Sequence, residues 1–157
     1  MKQKLTILSI ITTLLFCGCV SPMKTFNDNS NGWKPNDFVP SKGILLIEKI
    51  AGPKNQQKKI EEFMAKSYPY KYEFVDTKDL SGNNEKYNDK STYRFALVSA
   101  FSTHTLHQNT TEHPLNVGAF DFNFIDRLND KEYPKSGIAS SWASMTFKKI
   151  IETCLKN

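Results

Sequence analysis

Cysteine is scarce in this chain of 157 residues. There are three, Cys17, Cys19 and Cys154, with no CxxC pair and no Cys/His cluster. That spacing excludes thioredoxin-like redox chemistry and a structural zinc site. No apolar run reaches the about 20 residues that a permanent membrane-spanning helix needs. P-loop and GxGxxG patterns are missing, so nucleotide binding has no support. There is no HExxH, no block of lysine and arginine interleaved with aromatics, and no internal repeat. The first of these removes the commonest zinc-hydrolase signature, and the second removes a nucleic-acid partner. No cofactor is implied.

What is present begins at the N-terminus. Met1-Lys2-Gln3-Lys4 carries two positive charges and no acid, and Leu5 to Phe16 is an apolar run interrupted only by Ser9, Thr12 and Thr13. Its length is that of a signal-peptide core, roughly 7–15 residues. The run closes on Leu15-Phe16-Cys17-Gly18-Cys19. This junction resembles the bacterial lipobox, an apolar stretch and a small residue before a cysteine. Phe16 stands where leucine is usual and Cys17 is an uncommon occupant of the next place. The resemblance covers about the first 22 residues and implies cleavage after Gly18. It also implies a diacylglyceryl group on the Cys19 thiol and acylation of the freed amine. The expected location is the cell envelope, on the periplasmic side of the outer membrane. No acidic run follows Cys19.

Processing changes the arithmetic. Cys17 departs with the signal and Cys19 carries lipid, so Cys154 has no disulfide partner even in an oxidising compartment. Loss of Lys2 and Lys4 lowers the formal charge from +5 to +3, and loss of residues 1–18 leaves 139 of 157. That length suits one domain. The expected organisation is a signal peptide over 1–18, a lipidated tether over 19–41, and one domain over 42–157. The tether assignment rests on a polar, turn-rich composition in which no period of 2 or 3.6 survives. Trp33 and Phe38 are its exceptions, placed at the domain edge.

Downstream, Gly43 to Ile50 reads as a buried strand. A helix from Asn55, its cap, to about Ser67 presents Ile60, Phe63, Met64 and Tyr68 on one face. Tyr70 to Val75 alternates as a strand with Tyr70, Tyr72 and Phe74 together. Tyr93 to Phe101 is a third strand, and Ala119 to Leu128 a fourth with Phe120, Phe122 and Phe124 aligned. Asn129-Asp130 turns the chain into a short strand at Lys131–Tyr133. A last helix, from about Ser140 to Leu155, stacks Ala143, Phe147, Ile150, Ile151 and Cys154. Asp76–Thr92 and Ser102–Gly118 read as long loops, the second alternatively as an extension of its flanking strands in an irregular hairpin. The order β-α-β-β-β-β-α describes an α+β domain, one mixed sheet of about five strands with two helices packed on it.

Candidate chemistry is sparse. His104, His107 and His113 crowd one region with Glu112 beside them. Such crowding suits a metal, although spacings of three and six fix no geometry, and a solvated polar loop accounts for it as well. Ser136, Ser140 and Ser141 precede the last helix without GxSxG or SxxK context, and helix capping explains them. Asp121, Asp126, Asp130 and Glu132 surround the last hairpin. A glycosidase needs two carboxyls across a groove. Alternation places Asp121 towards solvent, and Asp126-Arg127 and Asp130-Lys131 invite surface ion pairs. Tyr68, Tyr70, Tyr72, Tyr87 and Tyr93, with Trp33 and Trp142, are either the rim of a core or a binding surface, to which tyrosine brings area at low entropic cost. Taken together, the pattern favours a membrane-anchored, non-catalytic domain that binds another envelope component, protein or glycan. The alternative is a hydrolase or metal-dependent enzyme using the histidine region.

Overall fold

The computed structural model describes residues 31–52, 54–106 and 115–156. Cys17 and Cys19, with the whole expected signal peptide, lie outside the described residues, as do His107, Glu112 and His113. Five strands form one mixed sheet: β1 (Leu45–Glu48), β2 (Tyr72–Val75), β3 (Phe95–Leu106), β4 (Leu115–Asp126) and β5 (Lys131–Glu132). Two helices accompany them, α1 (Lys54–Ser67) and α2 (Ala143–Leu155). The class and element order are those expected from the sequence. Spatial order is β2-β1-β3-β4-β5. Strand β1 runs parallel to both β2 and β3, and the β3–β4 and β4–β5 pairs are antiparallel.

Apolar periodicity explains which side is buried. Ile60 and Met64 of α1 are buried, as are Phe147, Ile150, Ile151 and Cys154 of α2. They meet Leu45, Ile47, Leu97, Phe122 and Phe124 on one face of the sheet in a single core. The opposite face carries a smaller cluster, Leu46, Val75, Tyr87 and Ala96. It is covered by the segment between β2 and β3, which was expected to be plain loop. That segment instead contains a helical turn at Asp79–Asn83, broken at Gly82 (φ 87°), and a 3-10 turn at Glu85–Tyr87 capped by the Asn84 side chain. Without it, Leu46 and Ala96 would face water.

Several expectations need correction. Residues 31–41 do not behave as a free tether. Trp33 is fully buried, with its ring 6.0 Å from that of Phe124, and Phe38 packs edge-on to Phe95 at 5.3 Å. Two aromatics in a polar stretch bury enough area to fold the segment onto the sheet. Of the two readings of Ser102–Gly118 the strand extension is the one found among the described residues, because β3 runs to Leu106 and β4 starts at Leu115, with Ser102 opposite Ala119. An antiparallel pair satisfies its backbone whatever its side chains, so polar composition does not end it. Helix α1 starts one residue before its expected cap, at Lys54. Helix α2 starts at Ala143 rather than Ser140, and its N-cap residue Trp142 makes no side-chain cap bond. Gln56, buried on α1, supplies one across the helix interface, accepting from Ser144 N (3.3 Å) and Oγ (2.9 Å). That satisfies one of the unpaired amides at the helix start.

Candidate ligand-binding groove

The parallel strands β1, β2 and β3 begin at one end of the sheet, and a groove lies along that end. It comprises two adjoining hollows of about 500 and 200 Å3 that share Gly43, Ile44 and Thr92. The larger runs past Ser41, Pro69, Tyr70 and Lys71; the smaller is walled by Asp37, Phe38, Ser91 and Arg94.

The floor is held by backbone bonds that extend the strand ladder: Ile44 N donates to Thr92 O (3.1 Å) and Leu45 N to Lys71 O (3.1 Å). Gly43 sits at φ 84°, and a Cβ there would meet Thr92 O at 3.2 Å, so glycine lets the two segments close. Asp89 organises the Ser91–Thr92 lip. Its Oδ1 accepts from Ser91 N (3.0 Å), Ser91 Oγ (2.6 Å) and Thr92 N (3.4 Å). These bonds, from Ser91 first and Thr92 next, lower its carboxyl to a pKa of about 2.

The other wall is fixed by Arg94. Its Nε donates to Asp126 Oδ1 (3.0 Å) and its Nη2 to Asp126 Oδ2 (2.6 Å) and to Asp37, while the guanidinium lies over the Phe95 ring at 4.6 Å. Asp126 is buried, and the fork from Arg94, reinforced by Asn129, brings its pKa down to about 2. This network replaces the expected surface pairs. Arg127 is buried and donates to the Tyr93 and Tyr87 carbonyls, and Asp130 pairs with Lys90.

One tyrosine, Tyr70, lines the far rim. Tyr70 is 39% exposed and packs edge-on to Tyr68 at 5.6 Å. Tyr72 meets Tyr68 at 5.9 Å and Phe74 at 5.7 Å, against the core. The two tyrosines singled out from the sequence therefore divide: Tyr70 faces the groove and Tyr72 supports the sheet. The Tyr68 hydroxyl is buried with no hydrogen-bond partner among the described residues, and burial raises its pKa above the ordinary phenolic value.

His104 belongs to β3, opposite Val117, rather than to a loop. Among the described residues no group of three or more histidine, cysteine, aspartate or glutamate side chains is arranged to hold a metal. Asp121 is buried rather than solvent-facing. It accepts from Ser136 Oγ, Gly137 N (3.0 Å) and Phe122 N (2.6 Å), which pins the chain after β5 to β4. Ser136 is spent in that bond, and Ser140 exchanges backbone bonds with Phe120 while its Oγ accepts from Trp142 N. Both serines are structural. Sequence reasoning passed over Arg94 and Glu48. The signal was a charge embedded in an apolar strand run: Glu48 is buried, accepting from Thr77 Oγ1 (2.7 Å) and Ser99 N (2.9 Å).

No protein-family model matches the chain, and no curated protein matches it. Among solved structures it is similar to the PelC dodecamer from Paraburkholderia phytofirmans, at 11% identity over 74% of this chain and 89% of that one, with a TM-score of 0.39. A variant of that dodecamer gives 10% identity over 74% and 91%, also at 0.39. A neuraminyllactose-binding hemagglutinin homologue from Helicobacter pylori gives 15% identity over 78% and 79%, at 0.34.

Proposed function

We propose that the chain is lipidated at Cys19, held at an envelope membrane, and serves as a non-catalytic binding domain for another envelope component, protein or glycan, taken in the groove beside Tyr70. The observation that supports this reading is the groove's construction. Its floor is backbone-bonded, its Arg94 and Asp89 walls are locked by carboxylate networks, and one aromatic ring stands half open on its rim. A preformed hollow with fixed polar walls and an aromatic platform loses little entropy on binding.

The anchor is tested by metabolic lipid labelling. Cys19→Ala should abolish it, and a labelled variant would place the lipid elsewhere. The groove is tested by affinity capture from envelopes with the wild-type protein and with Tyr70→Ala, followed by direct titration of whatever component is recovered. Tyr70→Ala should weaken that titrated affinity about tenfold, as for a central aromatic contact, with an unchanged melting temperature. Equal affinity would move the site away from the groove.

A further inference from the structure

The outer surface of the helix layer has no role in the core or the groove. On α1, Lys54, Lys58, Glu62 and Lys66 recur at intervals of four, opposite the buried Ile60 and Met64, and Lys59 lies beside them. On α2, Met145, Lys148, Lys149 and Glu152 lie opposite Ile150 and Cys154. The two helices together hold six lysines against three glutamates. The cover on the other side of the sheet, residues 76–93, holds three lysines against four acids. Positive charge is thus concentrated on one side of the domain.

That same side exposes aromatic and thioether groups. Phe101 (61%), Trp142 (51%) and Met145 (51%) are three of the four most exposed large apolar side chains among the described residues. Lys59 Nζ lies 5.7 Å from the Trp142 ring centre. Phe101 stacks on Phe120 at 5.0 Å, and Phe120 lines one shallow cleft with Trp142. Lysines around a projecting tryptophan are the composition of surfaces that settle at a lipid–water boundary.

The chain's entry point agrees. Nine of the eleven residues between Cys19 and Asn31 are uncharged and the other two, Lys24 and Asp28, are opposite in sign, and the described domain begins beside α2, where the Lys34 charge acts on the Cys154 thiol. Eleven residues span at most about 40 Å. A lipid on Cys19 would hold the helix layer within that distance of a bilayer.

We infer that the basic outer face of α1 and α2, with Trp142 and Met145 exposed at the start of α2, docks on an anionic phospholipid surface. This rests on the anchor reading for proximity but not on the groove. Docking would leave the groove, at the strand end of the sheet, open to its ligand.

The test uses the mature chain with Cys19→Ser, free of lipid, and vesicles of phosphatidylethanolamine with about one-third phosphatidylglycerol. The chain should co-sediment with these and not with phosphatidylcholine vesicles, and added salt should release it. Because Trp33 is fully buried, a blue shift of emission on binding should come from Trp142 and vanish in Trp142→Phe. Changing Lys54, Lys58 and Lys59 to glutamine should lower partitioning about tenfold or more, with melting temperature retained. Tyr70→Ala should partition like the wild type, which separates this face from the groove. Absence of binding to the anionic vesicles, or undiminished binding by the lysine variant, overturns the inference. So does saturable binding to an envelope protein that needs Trp142 when vesicles bind without it.

Discussion

At Asp126 a carboxylate with 1% of its side chain exposed receives both arms of Arg94 and the Asn129 amide. Its pKa falls to about 2, below the unfolded value of about 3.9. The stabilisation is therefore complete above pH 4 and lost as pH falls through about 2, since the unfolded state takes up its proton first. Asp126→Ala should cost about 3 kcal/mol in urea denaturation at neutral pH, because it leaves Arg94 half-buried without its main partner. The gap between wild type and variant should narrow towards pH 2. Two glycines make a contrasting pair. Gly43→Ala forces a Cβ onto a backbone carbonyl at positive φ and should cost about 1–2 kcal/mol. In Gly118→Ala the nearest atoms to the new Cβ belong to the Phe101 ring, at 2.5 Å, and that ring is largely exposed, so its far end can shift. Its cost should stay within about 0.5 kcal/mol.

Among the elements, the segment before β1 departs furthest from expectation. Its composition reads as tether, yet Trp33 and Phe38 complete the core against Phe124 and Phe95. Burial of a large aromatic is worth about 3–5 kcal/mol on removal, a large share of a domain's total stability. A chain beginning at Asn31 should melt cooperatively, whereas one beginning at Ser41 should lose its cooperative transition or melt far lower by calorimetry. Equal melting temperatures would return Trp33 and Phe38 to the periphery. The β3–β4 pair is the second such element, with a backbone ladder that continues through residues with no apolar alternation.

For the whole molecule, the cysteine arithmetic has a direct consequence. Cys154 is buried in the core, and burial pushes its thiol up to about 12. The folded protein should resist thiol reagents until it unfolds, and its melting temperature should be indifferent to reductant. Above about pH 9 the unfolded chain releases this proton while the folded state keeps it. Stability should then decline as pH climbs from about 9 towards 12, an effect that Cys154→Ala would remove. Thiol labelling of the native protein at a rate independent of unfolding would contradict the burial.

The sequence by itself determined the class, the order of elements and the buried faces of both helices. These follow from local periodicity: Ile60 with Met64, and Phe147 with Ile150 and Ile151, declare a helical face without reference to anything distant. The candidate groove was legible only at Tyr70. What brings Tyr70 and Arg94 to adjoining hollows that meet at Gly43 is the parallel placement of β1 between β2 and β3, a choice carried by long-range pairing that no local pattern encodes. The fate of the polar side chains was decided the same way. Asp121 was expected in water and Asp126 on the surface, because alternation assigns a face but not what covers it. The segments that fold over them, residues 134–138 for one and Arg94 for the other, bury each carboxylate by supplying the hydrogen bonds that burial requires.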